Sequence, residues 1–282
     1  MGTAVTRSFV ARSAATSVAD EAAAFARTVA QVMTDHPVSS EWRPDSPGDD
    51  RCAALTEALA LIGWAELAED PDALAFVAPA ALELGRGLAP LSEVDRLLGA
   101  SPLCGGLTRY PESTVVGRVP EGLRYTTVLE RTPLAYGDDQ AVHRVRTADT
   151  GAETVPAERE RAWVHAQVGY LAGLAAGAFD LALDHVRQRS AFGAPLAALP
   201  NVQARLADAA TAATALRLLA EQPRLALDAL AFAGQAAETV VAQCHQVVGA
   251  IGFTLEFPLQ RYSRRVRTLA AWNDAWVQGS LA

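Results

Sequence analysis

The sequence predicts a mainly α-helical protein with a small β unit in the middle, which divides the 282 residues into three parts. The parts are an N-terminal helical domain at 1–104, a reduced β domain at 105–157 and a C-terminal four-helix bundle at 158–282. Apolar residues recur every three or four positions on both sides of the middle segment, as in amphipathic helices. The middle segment is instead rich in Val, Thr and Tyr and is divided by Pro-Glu-Gly and Gly-Asp-Asp turns.

The N-terminal part contains three helical patterns. Ala22–Val32 and Cys52–Leu67 carry apolar stripes and are separated by a Pro- and Asp-rich loop at 44–48. Pro71 fits the first turn of another helix, because its missing N–H is not needed there. This helix is expected to stop near Gly85–Gly87.

Strands and then long helices follow. Three short segments have strand character: Ser113–Val119, Leu123–Leu129 and Ala141–Val145. Arg161–Arg189 then keeps an apolar stripe for about eight turns, a length that suits a bundle helix. Val202–Glu221 repeats the pattern, and the last clear helix opens at Pro223 and stops at Gly249.

Composition limits the classes of partner and compartment. The net charge of −8 disfavours nucleic acid, because binding to nucleic acid depends on neutralising phosphates. Cys52, Cys104 and Cys244 are odd in number and widely spaced, which predicts a reducing compartment and neither a disulfide framework nor a metal site. No apolar run is long enough to span a bilayer, so we expect a cytoplasmic protein without a membrane segment.

Two segments carry a family resemblance. The first runs from Leu183 to Leu196 and contains Arg189-Ser-Ala-Phe-Gly-Ala-Pro-Leu; Gln203-Ala-Arg-Leu-Ala-Asp follows it. The second, from Gln246 to Arg264, reads Gln-Val-Val-Gly-Ala-Ile-Gly-Phe-Thr-Leu-Glu-Phe-Pro-Leu-Gln-Arg-Tyr-Ser-Arg. Both segments are similar to signatures of the acyl-CoA dehydrogenase family, in the same order and separation. The resemblance covers residues 160–275 well and the first hundred residues only by layout.

The resemblance implies FAD as cofactor, with its adenosine and pyrophosphate end lying across a subunit interface. It assigns cofactor contacts to five residues: Arg189, Phe192, Gln246, Gly249 and Gly252. A guanidinium suits a diphosphate, and glycines at a helix end let the backbone approach a phosphate closely. Two of these residues also have a purely structural interpretation: Arg189 as a helix C-terminal cation and Gly249 as a helix cap. Arg261 and Arg264, which follow in the second segment, could likewise form a solvated helix face.

The catalytic position departs from the family pattern. The resemblance implies a glutamate base that removes the α-proton of an acyl-CoA, but ungapped counting places Asn273 there, and an amide cannot accept that proton. Asp274 is next to it but would point elsewhere on a helix. A second family position for the base corresponds to Trp163. Glu160 lies nearly one turn before Trp163, which makes it a candidate relocated base and equally a first-turn capping acid.

The flavin-ring side departs from the family as well. Pro200 stands where the family has a cofactor-contacting glutamine, and Ala250 replaces a glycine. The β unit has about half the family's length and lacks the segments that hold the isoalloxazine ring and the thioester. The resemblance therefore implies a chain that contacts the adenosine end of FAD but is poorly equipped for the reactive ring.

Three functions remain open. The chain could be the base-lacking subunit of a heteromeric acyl-CoA dehydrogenase, as in actinobacterial members that act on steroid side-chain CoA thioesters. It could be a flavin-free homo-oligomer that serves dehydration or cyclisation, with Glu160, Asp180, His185 or His245 as acid/base candidates. It could also be a structural paralogue that stabilises its partner. The sequence leaves the acyl group, the partner, the bound state of FAD and any activity of the chain alone undecided.

Overall fold

Helices dominate both ends of the chain, with a small β region between them, and this confirms the predicted mainly α fold class. The computed structural model describes residues 17–38, 50–104, 107–108, 113–119, 122–134, 142–148, 153–191 and 193–278. The predicted loop at 44–48 and the candidate residue Phe192 lie outside these described residues.

The N-terminal region contributes four helices: α1 (Val18–Asp35), α2 (Asp50–Leu61), α3 (Leu74–Arg86) and α4 (Leu91–Asp95). Ser17 caps α1, since its hydroxyl accepts a hydrogen bond from the N–H of Asp20 at 3.2 Å. The single helix predicted over Cys52–Leu67 is wrong in its second half. Gly63, with φ of 76°, breaks the pattern, and a short 3₁₀ turn at Ala65–Ala68 follows.

The β region contains six strands: β1 (Ser101–Cys104), β2 (Leu107–Thr108), β3 (Thr114–Val119), β4 (Gly122–Leu134), β5 (Val142–Thr147) and β6 (Glu153–Thr154). Their order is β3-β1-β2-β5-β4-β6, and β3 also pairs with β4, so five strands form a closed ring. The long strand β4 makes this possible, because its first half pairs with β3 and its second half with β5. Strand pairing begins at Ser101, while the predicted domain limits stay a prediction.

The C-terminal region is formed by four long helices: α5 (Ala157–Gln188), α6 (Pro200–Ala220), α7 (Asp228–Val248) and α8 (Leu259–Gln278). A small hairpin, β7 (Ser190–Ala191) with β8 (Ala194–Pro195), joins α5 to α6. Helix α5 is central, in contact with α3, α6, α7 and α8. By length and composition it could cross a membrane, but 72% of its most apolar window is buried, as in the core helix of a bundle.

Glycines let α5 pack closely against α3. A Cβ at Gly169 or Gly173 would collide with the backbone carbonyls of Ala78 and Leu82. On the facing helix, a Cβ at Gly85 of α3 would collide with the backbone carbonyl of Tyr170 on α5. The two backbones therefore approach each other without side chains between them, and one continuous apolar core extends from α1 to α8.

Candidate functional site

Arg189 ends α5 at the surface. Its backbone N–H donates to the carbonyl of His185 at 2.9 Å, and its backbone then turns extended into the β7–β8 hairpin. Its carbonyl accepts a hydrogen bond from the N–H of Leu196 at 2.8 Å, which closes the hairpin onto the helix end. The side chain is exposed, and its guanidinium forms no ion pair within the part of the chain that the structure describes. Arg189 is thus available to an anion.

Gln246 and the two glycines surround the end of α7. Gln246 is exposed in the last turn, and its amide makes no hydrogen bond to the described residues. Gly249 ends the helix with φ of 77° and ψ of −153°, a conformation that side chains disfavour, and a Cβ there would meet nothing within 4 Å. Gly252 is buried instead, and a Cβ there would approach Nδ1 of His245 at 3.0 Å. Gly249 therefore leaves open space, whereas Gly252 serves packing.

Three apolar side chains lie exposed immediately after these glycines. Ile251 is 46%, Phe253 63% and Leu255 71% exposed, and we refer to these three residues as the apolar edge. The ring of His245 stacks on Phe253 with centroids 4.2 Å apart, and its Nε2 lies 2.8 Å from Oγ of Ser263. Sequence reasoning missed this edge, although the alternation of apolar residues at 251, 253 and 255 was a usable signal.

The structure brings the end of α5 next to the segment that follows the apolar edge. The ring of His185 packs edge-on against Phe257 at a centroid distance of 5.5 Å. No contact among the described residues joins the side chains of Arg189 and Gln246 within one chain. Of the predicted cofactor residues, Arg189 and Gln246 are exposed at the ends of two helices, Gly249 is half-buried, Gly252 is buried, and Phe192 lies outside the described residues.

The two positions expected for a catalytic base are both deeply buried. Asn273 on α8 and Trp163 on α5 are each 0% exposed. Trp163 packs against Trp276, one turn beyond Asn273, with ring centroids 5.6 Å apart and planes tilted by 60°. Asp95 accepts hydrogen bonds from Nε1 of Trp163 at 2.9 Å and from Nε2 of Gln167 at 3.3 Å.

Another large ring, that of Trp64, belongs to the same apolar core. Trp64 is 1% exposed, and its Nε1 donates to the carbonyl of Glu93 at 2.8 Å. We call Trp64, Trp163 and Trp276 the tryptophan core. Sequence reasoning identified Asn273 and Trp163 as base positions but did not predict that indole rings pack around them.

The remaining acid/base candidates lie in structural contacts. Asp180 forms an ion pair with Arg86, whose backbone carbonyl also accepts a hydrogen bond from the hydroxyl of Tyr262 at 2.7 Å. Burial lowers the pKa of both His185 and His245, so these rings favour the neutral form. Glu160 is half-buried in the first turn of α5, three residues before the buried Trp163. Asp274 is exposed.

The arginine-rich run on α8 anchors the loop between α3 and α4. Arg261 is 7% exposed and Arg264 is half-buried, so the interpretation as a solvated helix face is wrong. Arg265 donates from Nη1 to the carbonyl oxygens of Leu88 at 3.0 Å and Ala89 at 2.8 Å. Leu88 has φ of 57°, and these charge-assisted hydrogen bonds help to hold that left-handed conformation.

The environment of Cys244 makes it an unreactive thiol. Cys244 is buried, and burial raises its pKa to about 12, which keeps the thiol protonated near neutral pH. Cys52 is half-buried and forms no disulfide. Among the described residues no group of three or more His, Cys, Asp or Glu side chains could hold a metal ion.

Comparison with known proteins supports the fold and the C-terminal motif. The family model for the acyl-CoA dehydrogenase C-terminal domain matches residues 158–273. Short-chain specific acyl-CoA dehydrogenase of Mus musculus is 35% identical over 106 residues, which are 34% of this chain and 26% of that protein. Acyl-CoA dehydrogenase FadE28 of Mycobacterium tuberculosis is 33% identical over 171 residues, 55% of this chain and 49% of that protein.

A solved structure extends the likeness to nearly the whole chain. A variant of the Tcur3481–Tcur3483 steroid ACAD superposes with a TM-score of 0.70 at 17% identity, over 94% of this chain and 100% of that one. At this identity the likeness shows the fold. The sequence matches to the curated relatives cover half of their length or less. The family model and the relatives show that residues 158–273 resemble the acyl-CoA dehydrogenase C-terminal domain, and the structural neighbours show an acyl-CoA dehydrogenase-like fold for the chain.

Proposed function

We propose that the chain is a non-catalytic subunit of a heteromeric FAD-dependent acyl-CoA dehydrogenase acting on an acyl-CoA or a steroid side-chain CoA thioester. In such a complex this chain supplies contacts to the adenosine and pyrophosphate end of FAD. A homologous partner supplies the base and the site for the reactive ring. The name of the Tcur3481–Tcur3483 steroid ACAD joins two components, which supports a two-chain arrangement of this kind.

The observation that carries the proposal is the contrast between the two halves of the expected site. Asn273 and Trp163 are both 0% exposed, and Trp163 packs against Trp276, so a substrate would reach these positions only by displacing buried side chains. Arg189 and Gln246 are exposed and have no hydrogen-bond or ion-pair partner in the described chain. The residues expected to contact a partner's cofactor are therefore exposed, whereas the positions expected for the catalytic base are buried.

The residues at the surface fit the polar end of FAD. An unpaired guanidinium can make two parallel hydrogen bonds to a phosphate, and the open space at Gly249 admits a ribose or phosphate close to the backbone. The apolar edge beside them suits a protein partner, because exposed apolar side chains in a cluster mark interaction sites. Bound FAD would supply the hydride acceptor, while this chain's residues hold and orient its adenosine end.

The first experiment is to purify the chain alone and co-expressed with a full-length acyl-CoA dehydrogenase encoded beside it, and to measure visible absorption together with mass. We expect flavin absorption only in the mixed oligomer. A colourless homo-oligomer in both preparations would contradict the proposal and favour the flavin-free alternative.

Arg189→Ala in the mixed oligomer tests the cofactor contact. Loss of charge-assisted hydrogen bonds to phosphate should raise the dissociation constant for FAD by about 10- to 100-fold while the oligomer persists. Arg187→Ala is the matched control, since Arg187 is also exposed, two residues earlier in the same helical turn. Equal FAD retention in the two variants would remove Arg189 from the cofactor site.

A further inference from the structure

A cleft of about 780 Å³ lies on the opposite side of α5 from the tryptophan core. It is bounded by α1, α3, α5 and the turn that follows α6, and alanine, leucine and proline side chains form most of its wall. Ala23 and Ala75 are two of these, on α1 and α3. The volume falls within the range of about 300–1,000 Å³ that small-molecule sites occupy. The small alanines leave space that bulkier core residues would fill.

One polar ring faces this apolar space. His165 lines the cleft and is only 4% exposed, and among the described residues its imidazole has no hydrogen-bond partner. Burial, with a smaller contribution from Arg161, lowers the pKa of His165, so the ring is neutral near pH 7. A neutral imidazole offers one N–H donor and one nitrogen acceptor. Because no side chain or backbone group of the described residues occupies these nitrogens, the ring can hydrogen-bond to a molecule in the cleft.

The charges at the mouth of the cleft select against anions. Asp72 and Glu221 are the charged side chains in the described lining, and both are acidic. Glu221 pairs with Arg217 at 2.5 Å, so Asp72 carries the uncompensated negative charge. No arginine lies in the described lining to receive a carboxylate or phosphate. The cleft is therefore unsuited to a CoA thioester and differs in chemistry from the Arg189 surface.

We propose that this cleft is a binding site for an uncharged apolar molecule with one hydroxyl or carbonyl group, which hydrogen-bonds to the imidazole of His165. The apolar body of the ligand would replace water against the alanine-rich walls of α1 and α3. Its polar group would hydrogen-bond to the His165 imidazole, which is the one aromatic ring among the described lining residues. The site goes beyond the proposed role in FAD binding and does not depend on it.

The probe for this site is 6-propionyl-2-(dimethylamino)naphthalene, a neutral fluorophore with a single ketone whose emission shifts in apolar surroundings. We expect saturable binding of about one probe per chain. Ala23→Trp, which places an indole in the cleft from an exposed position on α1, should abolish binding. Ala24→Trp is the matched control, because Ala24 is exposed next to it but lies outside the lining, and it should leave binding unchanged.

Two further measurements test the chemistry of the ligand. His165→Phe keeps a ring of similar size but removes the hydrogen bond, and it should weaken probe binding by about 3- to 10-fold. In competition, 1-decanol should displace the probe at concentrations at least about 10-fold below those needed for decanoate, because the carboxylate meets an acidic mouth and no cation. Absence of saturable binding, equal binding in the two tryptophan variants, or equal competition by decanoate would each overturn the proposal.

Discussion

Asn273 is a buried amide whose nitrogen and oxygen find no hydrogen-bond partner among the described residues. It is 0% exposed, and Nε1 of the neighbouring Trp276 and Oε1 of Gln167 also lack partners in that part of the chain. Each unsatisfied buried group costs about 1–3 kcal/mol. The position expected for the base thus carries an amide whose polar atoms have no partner among the described residues.

The cost of these unsatisfied polar atoms predicts how substitutions of Asn273 change the stability of the protein. Asn273→Leu keeps the branch at Cγ and removes two unsatisfied polar atoms, so the free energy of unfolding should stay unchanged or rise by about 1 kcal/mol. Asn273→Glu places a carboxyl group in the tryptophan core and should lower it by about 2–4 kcal/mol, without producing turnover in the isolated chain. Urea titrations of the wild type and the two variants measure these free energies of unfolding. A stability loss in Asn273→Leu would show that the amide has a partner, such as a buried water.

At the scale of elements, the contact between α3 and α5 depends on glycine. Gly173 lies where a Cβ would collide with the carbonyl of Leu82. In an isolated helix, Gly→Ala stabilises by about 1 kcal/mol, because alanine restricts the unfolded backbone. At Gly173 the collision with the carbonyl of Leu82 opposes this stabilisation. Whether Gly173→Ala raises or lowers the free energy of unfolding therefore shows whether α3 and α5 are in close contact.

We expect Gly173→Ala to lower the free energy of unfolding by about 1–3 kcal/mol, because two backbones must separate to admit the methyl group. Thermal unfolding with circular dichroism is the measurement. Ala176→Gly, at a half-buried position on the same helix, gives the helix-propensity cost alone and should be near 1 kcal/mol. If Gly173→Ala were more stable than the wild type, the close approach of α3 and α5 would be wrong.

Local patterns placed most of the predicted elements. Helices α3, α5 and α6 lie close to their predicted ranges, and the three predicted strands correspond to β3, β4 and β5. The predicted opening of α7 at Pro223 is wrong, because the helix begins at Asp228. The stripe over Cys52–Leu67 concealed the break at Gly63, because a single left-handed glycine leaves the spacing of apolar residues intact. The closed ring of strands depends on pairing between distant segments, which local patterns do not encode.

The place of the candidate residues along the helices was predictable from the sequence, but their burial was not. The motif placed Arg189 and Gln246 at helix ends, and the structure has them there with exposed side chains. The complete burial of Asn273 is a tertiary property, which local sequence patterns do not encode. The same holds for His165, whose cleft is formed by four elements far apart in sequence.

For the whole molecule, the lowered pKa values of three histidines predict how the free energy of unfolding depends on pH. Burial lowers the pKa of His165, His185 and His245 below the ordinary value of 6.5. Between each lowered pKa and 6.5, the unfolded chain binds a proton that the folded chain does not. Stability therefore falls as the pH drops through that window and is fully present above it.

Other groups act outside this window or in the opposite direction. The carboxyl pKa values of Glu130 and Glu256 are lowered below 4.5 by hydrogen bonds, so the stability from these groups is lost only at lower pH. Burial raises the pKa of Glu83, which favours the folded state below 4.5 and is lost as the pH rises through the raised value. Just below neutral pH, the histidines consequently dominate the change in the free energy of unfolding.

We expect the urea midpoint of the whole chain to decrease from about pH 7.5 to about pH 5.5, and His165→Gln to make that decrease shallower. The triple variant with His165, His185 and His245 all changed to Gln should make the decrease shallower still. Each substitution removes a group that, in this pH window, binds a proton only in the unfolded chain. Denaturation curves at matched ionic strength for the wild type and the two variants measure the slopes. A wild-type midpoint that rises on acidification, or slopes that are equal in all three proteins, would show that these rings are protonated in the folded state and would remove the neutral imidazole from the cleft.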